Sequence, residues 1–305
     1  MTLPDPVRLA VPLFALAILI EVIWSRLRRN ASYEARDSAA SLMMGFGNLV
    51  VSLPAAAAFY AALELAHSVR LFDIGFQWWA FVLIMPLEDL CYYWFHRLSH
   101  ERRLWWCAHV NHHTSQHYNL STALRQTWTG FVSGSWLCWL PLALLGFPPA
   151  LIVFQMGLSL VYQFWIHTEA VDRLPAPIEA IFNTPSHHRV HHATNADYLD
   201  RNYAGVLIIW DRLFGTFAAE NPADPCRYGV VRNLNTFNPL VIAFHEWRSL
   251  FRDLARARSL RAALGAIWGP PGWKADGSGL TSESLRRAHA HAQAQAQSRV
   301  QALGK

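Results

Sequence analysis

The sequence predicts an all-α integral membrane protein with four to five membrane helices and a histidine-rich helical cap. Three observations lead to this fold class. First, the 305 residues are 53% hydrophobic and only 15% charged, whereas a soluble domain carries about 25% charged residues. Second, the apolar residues fall into long runs. Third, histidines recur at helical spacing where these runs end.

Five apolar runs are the predicted membrane helices, at residues 9–24, 39–66, 76–95, 128–147 and 150–166. The first is slightly shorter than the roughly 20 residues that cross a bilayer. A re-entrant hairpin is the alternative for the last two, because Pro148 and Pro149 separate them. The first run lacks a charged leader and a cleavage site, so we interpret it as a retained anchor.

Arginines at positions 26, 28 and 29 follow the first run. The positive-inside rule places such a loop in the cytoplasm and the N-terminus outside. Three runs precede the first histidines, and an even number separates these from the last ones. All of the histidine clusters are therefore expected to face the cytoplasm.

Three histidine clusters share one spacing, in which residues lie three or four positions apart. On a helix such residues project from one face. The clustered residues are His96 and His100, then His109, His112 and His113, and finally His188, His191 and His192. So many imidazoles in one place are unfavourable without a metal, because protonated neighbours repel and buried nitrogens lose their hydrogen bonds to water.

The ligand type narrows the choice of metal. Imidazole suits iron, zinc, copper or nickel, whereas calcium and magnesium prefer oxygen. Eight or nine ligands exceed the four of a closed zinc site, so two metal ions are predicted. His167, at the end of the last run, is expected as a ninth ligand. His187 is expected to bind instead of His188 or beside it.

Two acidic residues are predicted to support the ligating histidines, which usually donate their second ring N–H to a carboxylate or carbonyl. Asp89 lies seven residues before His96 on the same helix face, and Glu101 directly follows His100. The alternatives are an interfacial carboxylate for Asp89 and, for Glu101, an ion pair with Arg102 or Arg103.

Other polar residues near the clusters have two interpretations. Lipid headgroup or cofactor binding, and a role in helix caps or loops, are equally compatible with Tyr118, Asn119, Arg125 and Gln126. Structural roles are expected for His67, His117 and His245. Residues 1–272 are expected to form one domain, and residues 273–305 a weakly structured tail that exposes His289 and His291.

Several classes of protein are disfavoured. The net charge of +5 comes from arginine clusters, so no nucleic-acid partner is predicted. The four cysteines show no C-x-x-C spacing, which argues against a disulfide framework or thiolate site. An H-E-x-x-H metalloprotease motif does not occur, and a bis-histidine haem would need histidines at membrane depth. A histidine-rich membrane zinc-binding protein or transporter remains the alternative.

The three histidine clusters resemble those of the fatty acid hydroxylase and sterol desaturase superfamily of membrane di-iron enzymes. Residues 89–97, 118–126, 183–192 and 209–217 are similar to its alkylglycerol monooxygenase-like branch. The resemblance covers roughly residues 81–250, although Ala193 stands where relatives commonly have glycine. It implies two Fe ions, O2 and hydroxylation or desaturation of a C–H bond in a membrane lipid, such as a sterol, fatty acyl or alkylglycerol chain. It also implies a redox donor, which in that branch is tetrahydrobiopterin.

Overall fold

The computed structural model describes residues 3–30 and 32–303. Within them the protein is helical and has no strand, which confirms the all-α class. The helices are α1 (Pro6–Arg28), α2 (Ala35–Ser68), α3 (Trp78–Glu101), α4 (Arg103–His113), α5 (Gly130–Ser133), α6 (Leu140–Leu145), α7 (Pro149–Trp165), α8 (Ala176–Ile181), α9 (Pro185–His191), α10 (Ile209–Leu213), α11 (Pro239–Arg256), α12 (Leu260–Trp268) and α13 (Ser282–Leu303). Two 3-10 helices, Leu120–Leu124 and Ser135–Trp139, lie between them.

Helices α1 and α2 are long and apolar enough to cross a bilayer. Their most apolar windows have mean hydropathies of 2.2 and 1.8, and only 11% and 6% of those windows are buried inside the protein. Large side chains such as Leu13 and Phe46 are 66% and 70% exposed. These helices are therefore not the core of a soluble fold, because their apolar surface faces the surroundings.

The remaining predicted membrane segments are less regular. Helix α3 extends the third run to residue 101 and so carries the first histidine cluster at its end. The fourth run is broken into short helices, because Gly134 and Gly146 adopt φ angles of 75° and 114°, which favour glycine and end a helix. Helix α7 has 17 residues and is about 26 Å long. A total of four to five crossings stays a prediction.

The largest apolar core joins α3, α6 and α7. Ala80 and Ile84 of α3 pack with Leu142 of α6 and with Leu151 and Ile152 of α7, and all five are almost fully buried. This packing fixes α3 beside α7. Histidines at the C-terminal ends of these two helices can therefore reach the same site.

A second core joins α4 to α11. Cys107 of α4 packs with Trp247 and Leu250 of α11. Buried Arg103 of α4 pairs with two carboxylates of α11, Glu246 at 2.7 Å and Asp253 at 2.6 Å. Helix α4, which carries the second histidine cluster, is thereby fixed on both its apolar and its polar side.

The C-terminal segment differs from the weakly structured tail that the sequence predicts. It forms the 22-residue helix α13, because alanine, glutamine and arginine are strong helix formers. Arg286 of this helix donates a hydrogen bond of 2.7 Å to the carbonyl of Leu199. His289 lies 3.8 Å from Asp197, whereas His291 is exposed as expected.

Candidate metal centre

Nine histidines converge in two adjacent groups. Group one consists of His96, His100, His109, His113 and His191. Group two consists of His112, His167, His188 and His192. In each group, one nitrogen from every ring lies within 4.8 Å of the others. The structure thus brings together all eight clustered histidines and His167, while His187 belongs to neither group.

The division between the groups follows helical geometry. Histidines four residues apart stay together, namely His96 with His100, His109 with His113, and His188 with His192. The third member of a cluster joins the other group, as His112 and His191 do. Residues i+3 and i+4 are about 100° apart around a helix, so they cannot face one ion equally. Helices α4 and α9 therefore each contribute to both groups.

The ring nitrogens are spaced like ligands around an ion. In group one, the Nε2 atom of His109 lies 3.0 Å from that of His96 and 3.1 Å from that of His113. In group two, the Nε2 atom of His167 lies 3.0 Å from that of His188 and 3.1 Å from that of His112. Two nitrogens at right angles about an ion are about 3 Å apart when each is about 2.1 Å from it.

Backbone carbonyls fix the orientation of three rings. The Nδ1–H group of His96 donates to the Tyr203 carbonyl at 2.7 Å, and that of His191 to the Arg201 carbonyl at 2.9 Å. His167 donates in the same way to the Gln163 carbonyl at 2.7 Å. A proton held on Nδ1 leaves the lone pair on Nε2. The rings are thus prepared for a metal before one binds.

The protonation state of the rings also fits metal ligation. Burial, reinforced by neighbouring imidazoles, lowers the pKa of His113 and His192 well below the ordinary histidine value. Burial likewise lowers the pKa of His167 to about 4. The buried Nε2 atoms of His100 and His191 have no hydrogen-bond partner among the described residues. Buried imidazole nitrogens without partners are suited to hold a transition metal.

Asp89 supports the site through a loop and does not contact His96. Its carboxylate accepts hydrogen bonds from the backbone N–H groups of Val206 and Leu207, both at 2.8 Å, and from the Trp210 indole at 3.0 Å. This loop begins at Tyr203, whose carbonyl accepts the hydrogen bond from the Nδ1–H group of His96. Asp89 is therefore connected to the His96 ring indirectly, through the backbone of this loop and the Tyr203 carbonyl.

Glu101 and His187 point away from both groups. Glu101 forms an ion pair, as the alternative expects. Its partner is Arg97, at 2.8 Å, and not Arg102 or Arg103. The His187 ring lies 3.8 Å from a carboxylate oxygen of Glu179 and 5.3 Å from the Phe217 ring. His187 lies one helical turn before His191, but its ring contacts Glu179 and Phe217 and belongs to neither group.

Two buried arginines support the site and are not predicted as such from the sequence. Arg189, inside the third cluster, binds both carboxylate oxygens of Glu220, the nearer at 2.7 Å, and donates to the carbonyl of Thr168 beside His167. Arg125 pairs with Asp37 of α2 at 2.7 Å and donates to Thr114, which follows His113. Arg189 is a charged residue between His188 and His191. Its position among the clustered histidines is the signal that could have indicated a supporting role.

The other polar residues near the second cluster form hydrogen bonds with backbone groups. The Tyr118 hydroxyl donates to the Ile166 carbonyl at 3.0 Å. Asn119 caps the 3-10 helix by accepting from the N–H of Ser121. Gln126 donates to the Ala123 carbonyl. Together with buried Arg125, these contacts match the cap and loop interpretation.

A cavity of about 490 Å³ borders the two groups on the side of α11. His100, His113 and His191 of group one and His192 of group two line it. Its opposite wall comes from α11 and from the segment before α13. The ring of Trp106 lies 5.0 Å from that of His100 at its edge. The ligand rings are thus buried yet reachable by a molecule in this cavity.

Comparison with known proteins connects this geometry to a family. Residues 81–216 match the family model described as fatty acid hydroxylase. All nine histidines of the two groups lie in this matched region, as does Asp89. The resemblance that the histidine spacing indicates is therefore confirmed.

Relatives extend the similarity beyond this region. Alkylglycerol monooxygenase of Homo sapiens is 39% identical over 278 residues, which cover 88% of this chain and 60% of the relative. The Danio rerio protein of that name is 40% identical over 276 residues, with the same coverage. Ornithine lipid hydroxylase OlsE of Rhizobium tropici is 31% identical over 144 residues, 47% of this chain and 43% of the relative. The chain thus spans about 60% of the alkylglycerol monooxygenases. No solved structure matches it.

Proposed function

We propose that this chain is an O2-dependent di-iron oxidoreductase that hydroxylates a C–H bond of a membrane lipid. The observation that carries the proposal is the pair of adjacent, all-imidazole groups within the region that matches the fatty acid hydroxylase family. Imidazole also accepts zinc, copper and nickel. Iron is proposed because the relatives are named as monooxygenases and a hydroxylase.

Each histidine group would hold one iron ion. Bound there, the two ions would supply the activation of O2 and the removal of hydrogen from the lipid. Hydroxylation inserts one oxygen atom of O2 into the C–H bond and releases the other as water, with two electrons from an external reductant. Desaturation would instead remove a second hydrogen, and the names of the relatives favour hydroxylation. The resemblance implies tetrahydrobiopterin as the reductant, so this reductant should be tested first.

The chain itself orients the ligands and excludes water. The carbonyls that hold His96, His167 and His191 keep their Nε2 atoms directed into the groups. Aromatic rings enclose the ligands, with Tyr118 5.2 Å from His192 and Phe95 6.4 Å from His109. A site with few waters strengthens electrostatic interactions and limits side reactions.

The proposed substrate is a lipid with a long apolar chain, such as a sterol, fatty acyl or alkylglycerol lipid. The exposed apolar faces of α1 and α2 would hold the protein in the bilayer from which this substrate comes. Near the end of α1, Glu21 accepts a hydrogen bond from the N–H of Leu120 at 2.8 Å and one from the hydroxyl of Thr168. Thr168 follows His167, so α1 ends beside the histidines.

The end of α1 also carries the arginines at 26, 28 and 29. Under the positive-inside rule this end faces the cytoplasm. We therefore propose a multi-pass membrane protein whose histidine groups lie at the cytoplasmic face. The proximity of α1 to His167 supports this orientation independently of any count of crossings.

The test compares lipids from cells that contain the protein, the variant His188→Ala, or neither, grown under 18O2. We expect an 18O-labelled lipid only with the unchanged protein. The zinc-transporter alternative predicts zinc-dependent flux, no labelled lipid and no oxygen consumption. Absence of any labelled or desaturated lipid, with iron present in the purified protein, would contradict the proposed function.

A further inference from the structure

Helix α11 presents an apolar face that no described part of the protein covers. Leu240, Val241, Phe244 and Phe251 are 59%, 42%, 44% and 61% exposed. They span 11 positions of one helix, which is about 16 Å along its axis. A row of large apolar side chains in water is unfavourable and marks a surface that contacts something else.

The arrangement of side chains around α11 is that of a helix at a membrane surface. One face packs into the protein through Ile242, Ala243, Trp247 and Leu250, which are buried. The exposed apolar side chains border this face. Exposed Arg248 follows Phe244 by one helical turn and so lies beside these side chains. A helix with an exposed apolar face and a neighbouring arginine is suited to the surface of a bilayer, because the arginine can extend to anionic headgroups.

The exposed face is continuous with the lipid-facing surface of α2. Ala40 and Met44 of α2 pack directly against Ile242 and Ala243 of α11. The Trp128 indole donates to the Met44 carbonyl at 2.9 Å, and its ring lies 6.3 Å from that of Phe244. Helix α2 is one of the two helices able to cross a bilayer. Lipid that surrounds α2 at this level therefore also reaches Phe244.

We propose that α11 is an interfacial helix, which lies on the bilayer surface with Leu240, Val241, Phe244 and Phe251 in contact with lipid. Arg248 then meets anionic headgroups. This surface contributes a contact with the bilayer besides the transmembrane helices. Because α11 also holds Arg103 of α4 through Glu246 and Asp253, it connects the membrane surface to the second histidine cluster.

A nitroxide spin label distinguishes lipid from water and from protein. The label is attached at Phe251→Cys, with Val241→Cys as a second position, in nanodiscs of phosphatidylcholine with phosphatidylglycerol. We expect relaxation by O2 to be several-fold more effective, relative to a water-soluble nickel chelate, than for a label at Gln295→Cys on α13. Gln295 is exposed on a polar helix and serves as the matched control. Unmodified protein, treated with the same reagent, gives the background from the four native cysteines.

The outcomes separate the possible occupants. Equal access of the nickel chelate at positions 251 and 295 would place α11 in water and overturn the proposal. An immobilised label shielded from both reagents would indicate a protein partner or a second copy, which would also overturn it. In a further arm, Arg248→Gln should reduce the effect of phosphatidylglycerol on the label at 251, whereas Arg287→Gln on α13 should not. Unchanged iron content in each variant would show that the part of the protein around the histidine groups has folded.

Discussion

His187 and His188 are adjacent in sequence, but of the two only His188 belongs to a histidine group. Its Nε2 atom lies 3.0 Å from that of His167. We expect His188→Ala to lose about one metal ion per chain and all lipid oxidation, because ligands that act as a unit are strongly non-additive. His187→Ala is the matched control and should keep both ions. Metal analysis of the two purified variants tests this. Equal metal content in both would contradict the division into groups.

Asp89 accepts hydrogen bonds from the loop that begins at Tyr203, and the Tyr203 carbonyl accepts one from His96. Asp89→Asn removes one strong acceptor from this loop, so the carbonyl that orients His96 should lose its position. We expect metal affinity and turnover to fall by about 10- to 100-fold, as for other outer partners of metal ligands. The control is Glu88→Gln, because the Glu88 side chain accepts from Trp139 at 3.0 Å and has no contact with the loop. Wild-type metal affinity in the Asp89→Asn variant would show that Asp89 is a structural carboxylate that does not affect metal binding.

At the scale of residues, the sequence predicts the members of the two histidine groups better than their arrangement. Spacing alone identifies eight histidines, because i, i+3 and i+4 positions share a helix face. It cannot separate His187 from His188, since both have a helical relation to another histidine. Nor can it foresee that His96 is held by a carbonyl, because the loop containing Tyr203 reaches it from 107 residues away.

At the scale of elements, α4 and α9 each supply ligands to both groups, so neither group can form without both helices. The cavity beside them is closed by residues 271–285, which precede or begin α13. Arg286 fastens this segment through the Leu199 carbonyl, 2.7 Å away. Asp200, next in sequence, lies 3.8 Å from Nδ1 of His100. The C-terminal segment is thus a wall of the site.

This wall predicts a difference between two neighbouring arginines. We expect Arg286→Ala to release the segment and to increase several-fold the rate at which a hydrophilic chelator removes iron from the loaded protein. Arg287→Ala should not, because Arg287 is exposed and its ion pair is with Glu283, one turn before it in α13. The measurement is the time course of iron loss. Identical rates for the two variants would show that the segment does not limit access.

Elements with a clear composition are predictable, and those that depend on tertiary contacts are not. Uninterrupted apolar sequence indicates α1 and α2. The run at 128–147 is also apolar, but Gly134 allows the turn that separates α5 from the 3-10 helix, and Gly146 ends α6. The tail has few apolar residues, so its sequence suggests little order. Arg286 docks it onto a loop far away in the chain, which no local pattern reports.

At the scale of the whole molecule, α1 ends beside His167, and arginines follow that end. We therefore expect a green fluorescent protein fused after Lys305 to fluoresce and an alkaline phosphatase at the same position to be inactive. The reverse pattern would place the C-terminus, and with it the cavity wall and the histidine groups, on the outer side of the membrane.

The central claim is that two adjacent histidine groups hold two irons that oxidise a lipid with O2. Its most direct test is a titration of metal-free, detergent-purified protein with Fe(II), in which bound iron and 18O incorporation into lipid are measured together. The account predicts that both rise to a plateau at two irons per chain, and that His188→Ala binds about one and forms no product. A plateau at one iron, or full activity with zinc after iron chelation, would contradict it.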